Sequence, residues 1–275
     1  MFKRKRLIVF IILCILIVSF INFVQARYVV PIIMYHSINS VVQKGSNLLV
    51  VSPDNFRRQM RFLKDRHYNV LPLEEVASII SHKKKAPPRT IVITFDDGYK
   101  DNYTYAFPIL REYNFPATIF IIVNEIGAPS ERRLSWDEIH TMQKSGLITF
   151  GSHTINHSNL AEVTSEETLK NEILGSKNIL EERLGMKVNT FSYPSGRFNA
   201  KSRSVVIDSG YKLAVVTNPG KMVPDDDIFL IKRIRISNNC NNLFIFWVET
   251  SGYYNLMREY NRRKNVNGTK ENTYI

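Results

Sequence analysis

Two segments carry most of the chemistry that this chain can do. They are Thr94-Phe95-Asp96-Asp97-Gly98-Tyr99, which ends the apolar run Ile91-Val92-Ile93, and His153-Thr154-Ile155-Asn156-His157. Together they offer two carboxylates and two imidazoles, the donors that a divalent metal and a water-activating base require. Adjacent aspartates raise one another's cost of ionisation, and a bound cation removes that cost. At the C-terminal end of a strand successive side chains diverge, so one carboxylate can ligate a metal while its neighbour faces the attacking water. Gly98 supplies a tight exit. Histidines four apart can share a helix face, but Gly151-Ser152 before them and Ser158-Asn159 after them read as a loop or its first turn. Either geometry can close on one ion, and hydrolysis is the reaction this set serves.

At these residues the chain resembles the polysaccharide deacetylase family of carbohydrate esterases, whose first motif is Thr-Phe-Asp-Asp-Gly and whose second is His-Ser/Thr-x-x-His. The resemblance spans roughly residues 30 to 240. It implies a metal-dependent N-deacetylase of N-acetylated sugar polymers, with Asp96 as general base and Asp97, His153 and His157 as metal ligands. The family's third motif, Arg-x-Pro-Tyr, is replaced here by Phe191-Ser192-Tyr193-Pro194-Ser195-Gly196. No arginine immediately precedes Pro194, so the residue that orients the base must come from elsewhere; Arg197, Arg233 and Arg235 are the candidates. The late histidine that commonly serves as general acid is also missing. Of the remaining histidines, His36, His67, His82 and His140, only His36 ends a strongly apolar stretch, Val29 to Tyr35. A Met-Tyr-His start is typical of the branch that resembles biofilm poly-N-acetylglucosamine deacetylases, with a permuted strand order, and it places His36 in the vacant role. Trp136 and Asp137 resemble the family's fourth motif near the substrate groove, with Asp137 a further base-orienting candidate. Asp137 also suits the positive end of a helix dipole.

The implied mechanism has a divalent ion, Zn²⁺ by preference, held by Asp97, His153 and His157. Asp96 takes the proton of water, the Ser195 N–H beside Tyr193 and Pro194 helps hold the oxyanion, and His36 protonates the leaving amine. A deacylase of another amide or ester is equivalent at the metal, and an inactive sugar-binding relative would keep the fold but lose a ligand or the base. A phosphatase would need further ligands for a second ion, and none is placed for it.

Around the site the chain alternates strands and helices, which points to an α/β fold with a mostly parallel sheet. Helices are expected from Ser52 to about His67, over Leu73 to Ser81 and over Asn102 to Tyr113. Ser135-Trp136-Asp137-Glu138 reads as a capping box whose helix stops at Gly146, and Thr164-Ser165-Glu166-Glu167 as another whose helix runs to about Leu184. Strands are expected at Thr90 to Phe95, Ala117 to Val123, Thr190 to Tyr193, Leu213 to Val216 and Leu230 to Ile236. Seven or eight such units make a distorted (β/α) barrel, with the site at the C-terminal strand ends.

The 275 residues, 44% of them hydrophobic, are enough for one such domain, expected over residues 27–257. Ahead of it Lys3-Arg4-Lys5-Arg6 precedes Leu7–Val24, eighteen residues without a charge. That length suits an N-terminal signal anchor or transmembrane helix over residues 1–26, basic end in the cytoplasm and catalytic domain outside. Cleavage after Val24-Gln25-Ala26 would instead release a secreted enzyme. The net charge of +12 draws on this cluster, on Lys83-Lys84-Lys85 and on Arg262-Arg263-Lys264 in a polar tail, residues 258–275. These runs are solvated faces, or contacts to anionic lipid or wall polymer. No nucleic-acid module is present. Cys14 lies in the apolar segment and Cys240 is alone in the outer domain, so no internal disulfide is expected.

Overall fold

The computed structural model describes residues 10–19, 28–40, 49–82, 86–128, 132–217 and 227–254. Residues 10–19 are helical (α1). Among the described residues no helix is long and apolar enough to cross a membrane. The remainder of the expected span, together with Lys83-Lys84-Lys85 and the tail over 258–275, lies outside the described residues.

The domain is a barrel of parallel strands. Its strands are β1 (Ile32–Tyr35), β5 (Thr90–Phe95), β6 (Ala117–Ile121), β7 (Ile148–Ser152), β8 (Thr190–Ser192), β9 (Leu213–Val216), β10 (Ile231–Lys232) and β11 (Ile234–Arg235). The short β2 (Ser37–Ile38) pairs with β3 (Val50–Val51) outside the barrel, and β4 (Asn69–Val70) pairs with the start of β5. The sheet order is β10-β9-β8-β7-β6-β5-β1-β11. Thus β10 lies on β9 while β11, one residue further along, lies on β1. The single strand expected over Leu230 to Ile236 is therefore broken at Arg233, and that break nearly closes the barrel.

Strand alternation divides the apolar residues between two cores. Ile32, Val92, Phe120, Leu213, Val215 and Ile231 face inward with Leu73, Val76 and Ile80 of α3 (Leu73–Ser81). Ile33, Tyr35, Phe95, Ile119, Phe191 and Ala214 face the surrounding helices. Tyr35, Phe56 and Phe95 meet there, with ring centroids 5.1–5.8 Å apart. Phe56 lies on α2 (Pro53–Asp65), which starts where Ser52 accepts a hydrogen bond from the Asn55 N–H at 3.3 Å and Pro53 occupies the first turn.

The remaining helices are α4 (Phe107–Tyr113), α5 (Trp136–Lys144), α6 (Glu166–Lys170), α7 (Ser176–Leu184), α8 (Ala200–Asp208) and α9 (Leu243–Thr250). The helix expected from Asn102 opens as a π-helical turn, Asn102–Ala106, and a second π turn, Asn171–Gly175, joins α6 to α7. The Ser135–Glu138 capping box is formed in full. The cap expected at Thr164 falls one residue later, where the Ser165 hydroxyl accepts from the Thr168 N–H.

Candidate active site and metal centre

Asp96 continues the β5 ladder, its N–H donating to Tyr35 O at 2.9 Å. Its side chain therefore stays with the inward set of the strand and is buried. Arg233 reaches it from the strand break. Its Nη1 and Nη2 donate to Asp96 Oδ1 and Oδ2, each at 2.7 Å, a two-pronged ion pair with both partners inside the barrel. The same guanidinium donates to Val216 O, Thr94 Oγ1 and Ser192 Oγ. Burial pushes the Asp96 carboxyl up, but the charges of Arg233 and His153 outweigh it and hold Asp96 below its ordinary value.

Asp97 turns the other way. It and Gly98 take positive φ, 70° and 63°, and a Cβ at Gly98 would meet Ile121 Cδ1 at 2.8 Å. The tight exit expected of Gly98 thus rests on its backbone angle, the crowding coming only from the movable end of the Ile121 side chain. His153 follows β7 directly, and the segment to His157 is a loop rather than a helix. Asp97 Oδ1 lies 3.4 Å from His153 Nε2 and 3.7 Å from His157 Nε2. One donor atom from each of the three residues falls within 4.8 Å of the others. Zinc bonds of roughly 2.0–2.2 Å set tetrahedral donor-to-donor edges near 3.4 Å, so the cluster is of the right size.

The tautomer agrees. His153 Nδ1 donates to Ser192 O at 2.7 Å, which leaves Nε2 as a lone pair pointing at a carboxylate oxygen. Two acceptors at that separation need a cation between them, either a proton on His153 or a metal. Burial lowers the His153 pKa, and Asp96 and Asp97 more than restore it. The donor set of two imidazoles and one carboxylate fits a divalent ion of the zinc type.

The loop that carries both histidines is held by Glu172, a buried residue of the second π turn. Its Oε2 accepts from the Ile155 and Asn156 N–H groups at 3.0 Å, and its Oε1 from Asn156 Nδ2 at 2.7 Å and Ser158 Oγ at 2.9 Å. Thr154 and His157 both have positive φ, 68° and 58°, and the His157 N–H donates to Thr154 Oγ1. Ser195 also has positive φ, at 54°. Among the described residues seven non-glycine residues have positive φ, and four of them, Asp97, Thr154, His157 and Ser195, belong to these two motifs and the Pro194 turn. Strain of this kind persists only where the surroundings enforce it.

His36 sits just past β1, buried, with Nδ1 lacking a hydrogen-bond partner. Burial lowers its pKa while Asp96 and Asp97 pull the other way. Its backbone is gripped from the aspartate segment. Asn102 Nδ2 donates to His36 O at 2.8 Å, and Asp101 accepts from Ser37 Oγ at 2.6 Å and the Ile38 N–H at 2.9 Å.

The other expected residues are placed apart from this cluster. Arg197 is exposed and pairs with Glu162, and Arg235 is exposed on β11. Trp136 lies beside His140 of its own helix and under the Arg183 guanidinium of α7, and Asp137 is exposed in the first turn of α5. Tyr193 points its ring into the outer core against Phe191 and Phe198, and its N–H donates to Val215 O. In the Pro194–Gly196 turn that follows it, Pro194 is buried and Ser195 is exposed. Glu172, Ser192, Asp101 and Asn102 carried no motif signal, because their contacts are made across long sequence separations.

A parallel barrel with an arginine-paired carboxylate beside a candidate Asp/His/His metal site is an arrangement suited to hydrolysis. The family model for polysaccharide deacetylase matches residues 83–214. The Staphylococcus aureus poly-beta-1,6-N-acetyl-D-glucosamine N-deacetylase is 31% identical over 201 residues, covering 69% of this chain and 68% of that one. The Streptococcus pyogenes deacetylase PplD, solved in complex with acetate, superposes with a TM-score of 0.73 at 32% identity, covering 79% of this chain and 98% of that one. BC0361, a polysaccharide deacetylase from Bacillus cereus, gives 0.71 at 31% identity, covering 80% and 68%. The chain belongs to the polysaccharide deacetylase family and is a deacetylase enzyme.

Proposed function

We propose that this enzyme removes N-acetyl groups from an N-acetylglucosamine-containing polysaccharide outside the cytoplasm, releasing acetate. The observation that carries this reading is the pairing of an arginine-fixed Asp96 with the Asp97, His153 and His157 cluster beside it. Those three residues would hold a divalent ion, Zn²⁺ by preference, which supplies polarisation of the acyl oxygen and a more acidic water. Asp96, kept ionised by Arg233, accepts the water's proton. The Tyr193, Gly196 and Arg197 N–H groups are engaged by Val215, Tyr193 and Pro194 carbonyls, so Ser195 N–H is the turn's candidate oxyanion donor. His36 delivers the proton that the leaving amine needs.

The choice of an N-acetylglucosamine polymer draws on the likeness to the Staphylococcus aureus enzyme and on the Met34-Tyr35-His36 start. An extracytoplasmic, membrane-anchored location draws on Leu7–Val24 behind its basic cluster. It is supported by α1, whose Phe10, Ile11, Leu13, Leu16 and Val18 are all exposed, an arrangement suited to lipid and not to water. The test is acetate release from poly-β-1,6-N-acetylglucosamine, chitin oligomers and peptidoglycan fragments, each with and without a chelator. Chelator-sensitive release from the first substrate is expected. Release that survives full metal removal, or that is confined to simple aryl esters, overturns the reading.

A further inference from the structure

The helix α9 is apolar on the wrong side. Phe246 and Thr250 face the core, yet on its outer side Phe244, Ile245 and Trp247 are 66%, 41% and 46% exposed. A helix that meets water there would carry polar residues, and Leu243–Val248 contains none. The Phe244 and Trp247 rings lie 5.7 Å apart, one turn from each other, and form a continuous ridge.

The C-terminal end of the same helix meets the segment that begins at Tyr28, four residues after the N-terminal apolar run. The Val29 N–H donates to Gly252 O at 3.1 Å, and the rings of Tyr28 and Tyr253 are 5.7 Å apart. Tyr28 also fills the place of a Cβ at Gly252, at 2.2 Å, so the entry strand is packed on the segment that ends α9. Only residues 25–27 separate Val24 from Tyr28, and an extended chain of that length reaches about 14 Å at most. The eight residues of α9 span about 12 Å. Leu7–Val24 is therefore tethered within about 26 Å of the ridge. Beyond Tyr254 the sequence carries Arg258, Arg262, Arg263 and Lys264, a basic run whose charge suits anionic headgroups.

We propose that the Phe244–Ile245–Trp247 face of α9 lies in the interfacial layer of the bilayer, an inference that rests on the membrane-anchor reading of Leu7–Val24. Aromatic side chains favour that layer, and one apolar helix face can sit in it without spanning it. The N-terminal end of α9 is near the mouth of the barrel, where Asn241 accepts from Asn55 Nδ2, and its C-terminal end is at the base. Seated this way, the barrel lies on its side and the mouth that holds His36, Asp97 and His157 opens along the membrane surface, toward a glycan chain emerging there.

The test uses the full chain in vesicles of phosphatidylcholine and phosphatidylglycerol, with and without brominated acyl chains. Subtracting the emission of a Trp247→Phe variant from that of the wild type isolates Trp247 from Trp136. Quenching of Trp247 by the brominated lipid, with a blue shift on reconstitution, is the expected result, and Phe244→Ser/Ile245→Ser should abolish it while the chain stays with the vesicles. If Trp247 remains open to aqueous acrylamide in a chain that floats with the vesicles, the docking face is wrong and the anchor stands. Shielding from both quenchers that disappears on dilution means a second copy covers the face, which also overturns the proposal. A chain that does not float sinks the anchor reading itself.

Discussion

Asp96 and Asp97 are neighbours in sequence and belong to different parts of the molecule. Asp96 is part of the barrel interior, on a strand, tied by two hydrogen bonds to an arginine that also helps close the sheet. Asp97 belongs to the rim, on a left-handed turn, facing two histidines of which one is on a strained loop. The interior holds its charge with a resident cation. The rim assembles Asp97, His153 and His157 as a candidate metal site. One site therefore contains a carboxylate whose cationic partner is built in and a carboxylate that the proposed function gives to a bound ion, and their side chains diverge because consecutive residues at a strand end do so.

The largest effect comes from exchanging the two acids for amides. Asp96→Asn should retain stoichiometric zinc and lose turnover by about 100- to 10,000-fold, since the amide keeps the volume but accepts no proton; its NH₂ meets an Arg233 N–H donor, so Tm should fall as well. Asp97→Asn should lose the metal, and His157→Ala likewise. Metal content by mass spectrometry beside acetate release decides it. Two amide variants that hold zinc equally, with only Asp97→Asn inactive, would reverse the roles.

His36 is the proton donor in the proposed mechanism. His36→Ala should depress kcat on an N-acetyl sugar by roughly 100- to 10,000-fold, while an aryl acetate, whose leaving group needs no proton, loses far less. Metal content should stay the same. Because burial places the His36 pKa below 6.5, kcat/KM should fall with rising pH on a limb below that value, and the limb should vanish in His36→Ala. Equal losses on both substrates would make His36 a support of the loop and not a proton donor.

Breaking the interior pair tests the other half of the comparison. Removing one partner of a buried ion pair typically costs about 3–5 kcal/mol, because the remaining charge is left unpaired. Arg233→Met should therefore lower Tm sharply as well as activity, and the pH dependence should change sign. In the wild type the Asp96 pKa is depressed, so its contribution is full above the unfolded value near 4 and is lost as pH falls. Without the arginine, burial raises that pKa, and stability should rise as the pH falls and Asp96 takes a proton. Parallel Tm profiles for the two proteins would show that Arg233 does not set the charge of Asp96.

Much of this arrangement was readable in the sequence, for reasons that differ by residue. The aspartates could be found because their motif is local and ends an unbroken apolar run. The histidines were found from their spacing alone: β7, whose sequence Ile148-Thr149-Phe150-Gly151-Ser152 is only partly apolar, was not expected, and Gly151-Ser152, read as a loop, are its last two residues. The barrel followed from the alternation of elements. Which arginine serves the base was not readable, since Arg197, Arg233 and Arg235 differ only in which side of a strand or turn they leave from. That is settled by the break between β10 and β11, which a periodicity of two cannot reveal. Tyr193 misled for the same reason: one residue from the inward Ser192, it faces the helices. Trp136 was legible as the start of a helix but not as a member of the outer layer, where Arg183 lies over its ring.

The smallest expected effect concerns how the rim is kept in shape. Glu172 is the one carboxylate that accepts four hydrogen bonds from the histidine loop, and nothing in the chemistry of hydrolysis asks for it. Glu172→Gln keeps the volume and replaces one acceptor edge by an NH₂ group. In either orientation that group meets donors, the Ile155 and Asn156 N–H groups on one side or Asn156 Nδ2 and Ser158 on the other. Ser158 can turn its hydroxyl to accept. Asn156 cannot flip its amide without losing the bond that its Oδ1 accepts from Asn124 Nδ2 at 2.6 Å. The left-handed backbone at Thr154 and His157 would then relax, and the histidines would drift from Asp97. Residues that orient metal ligands usually account for about 10- to 100-fold in affinity, so zinc should bind that much more weakly and saturating zinc should restore kcat. A variant with unchanged zinc affinity but a lower Tm would limit Glu172 to the fold. A kcat that stays low at saturating zinc would mean that the loop shapes the substrate site as well as the metal site.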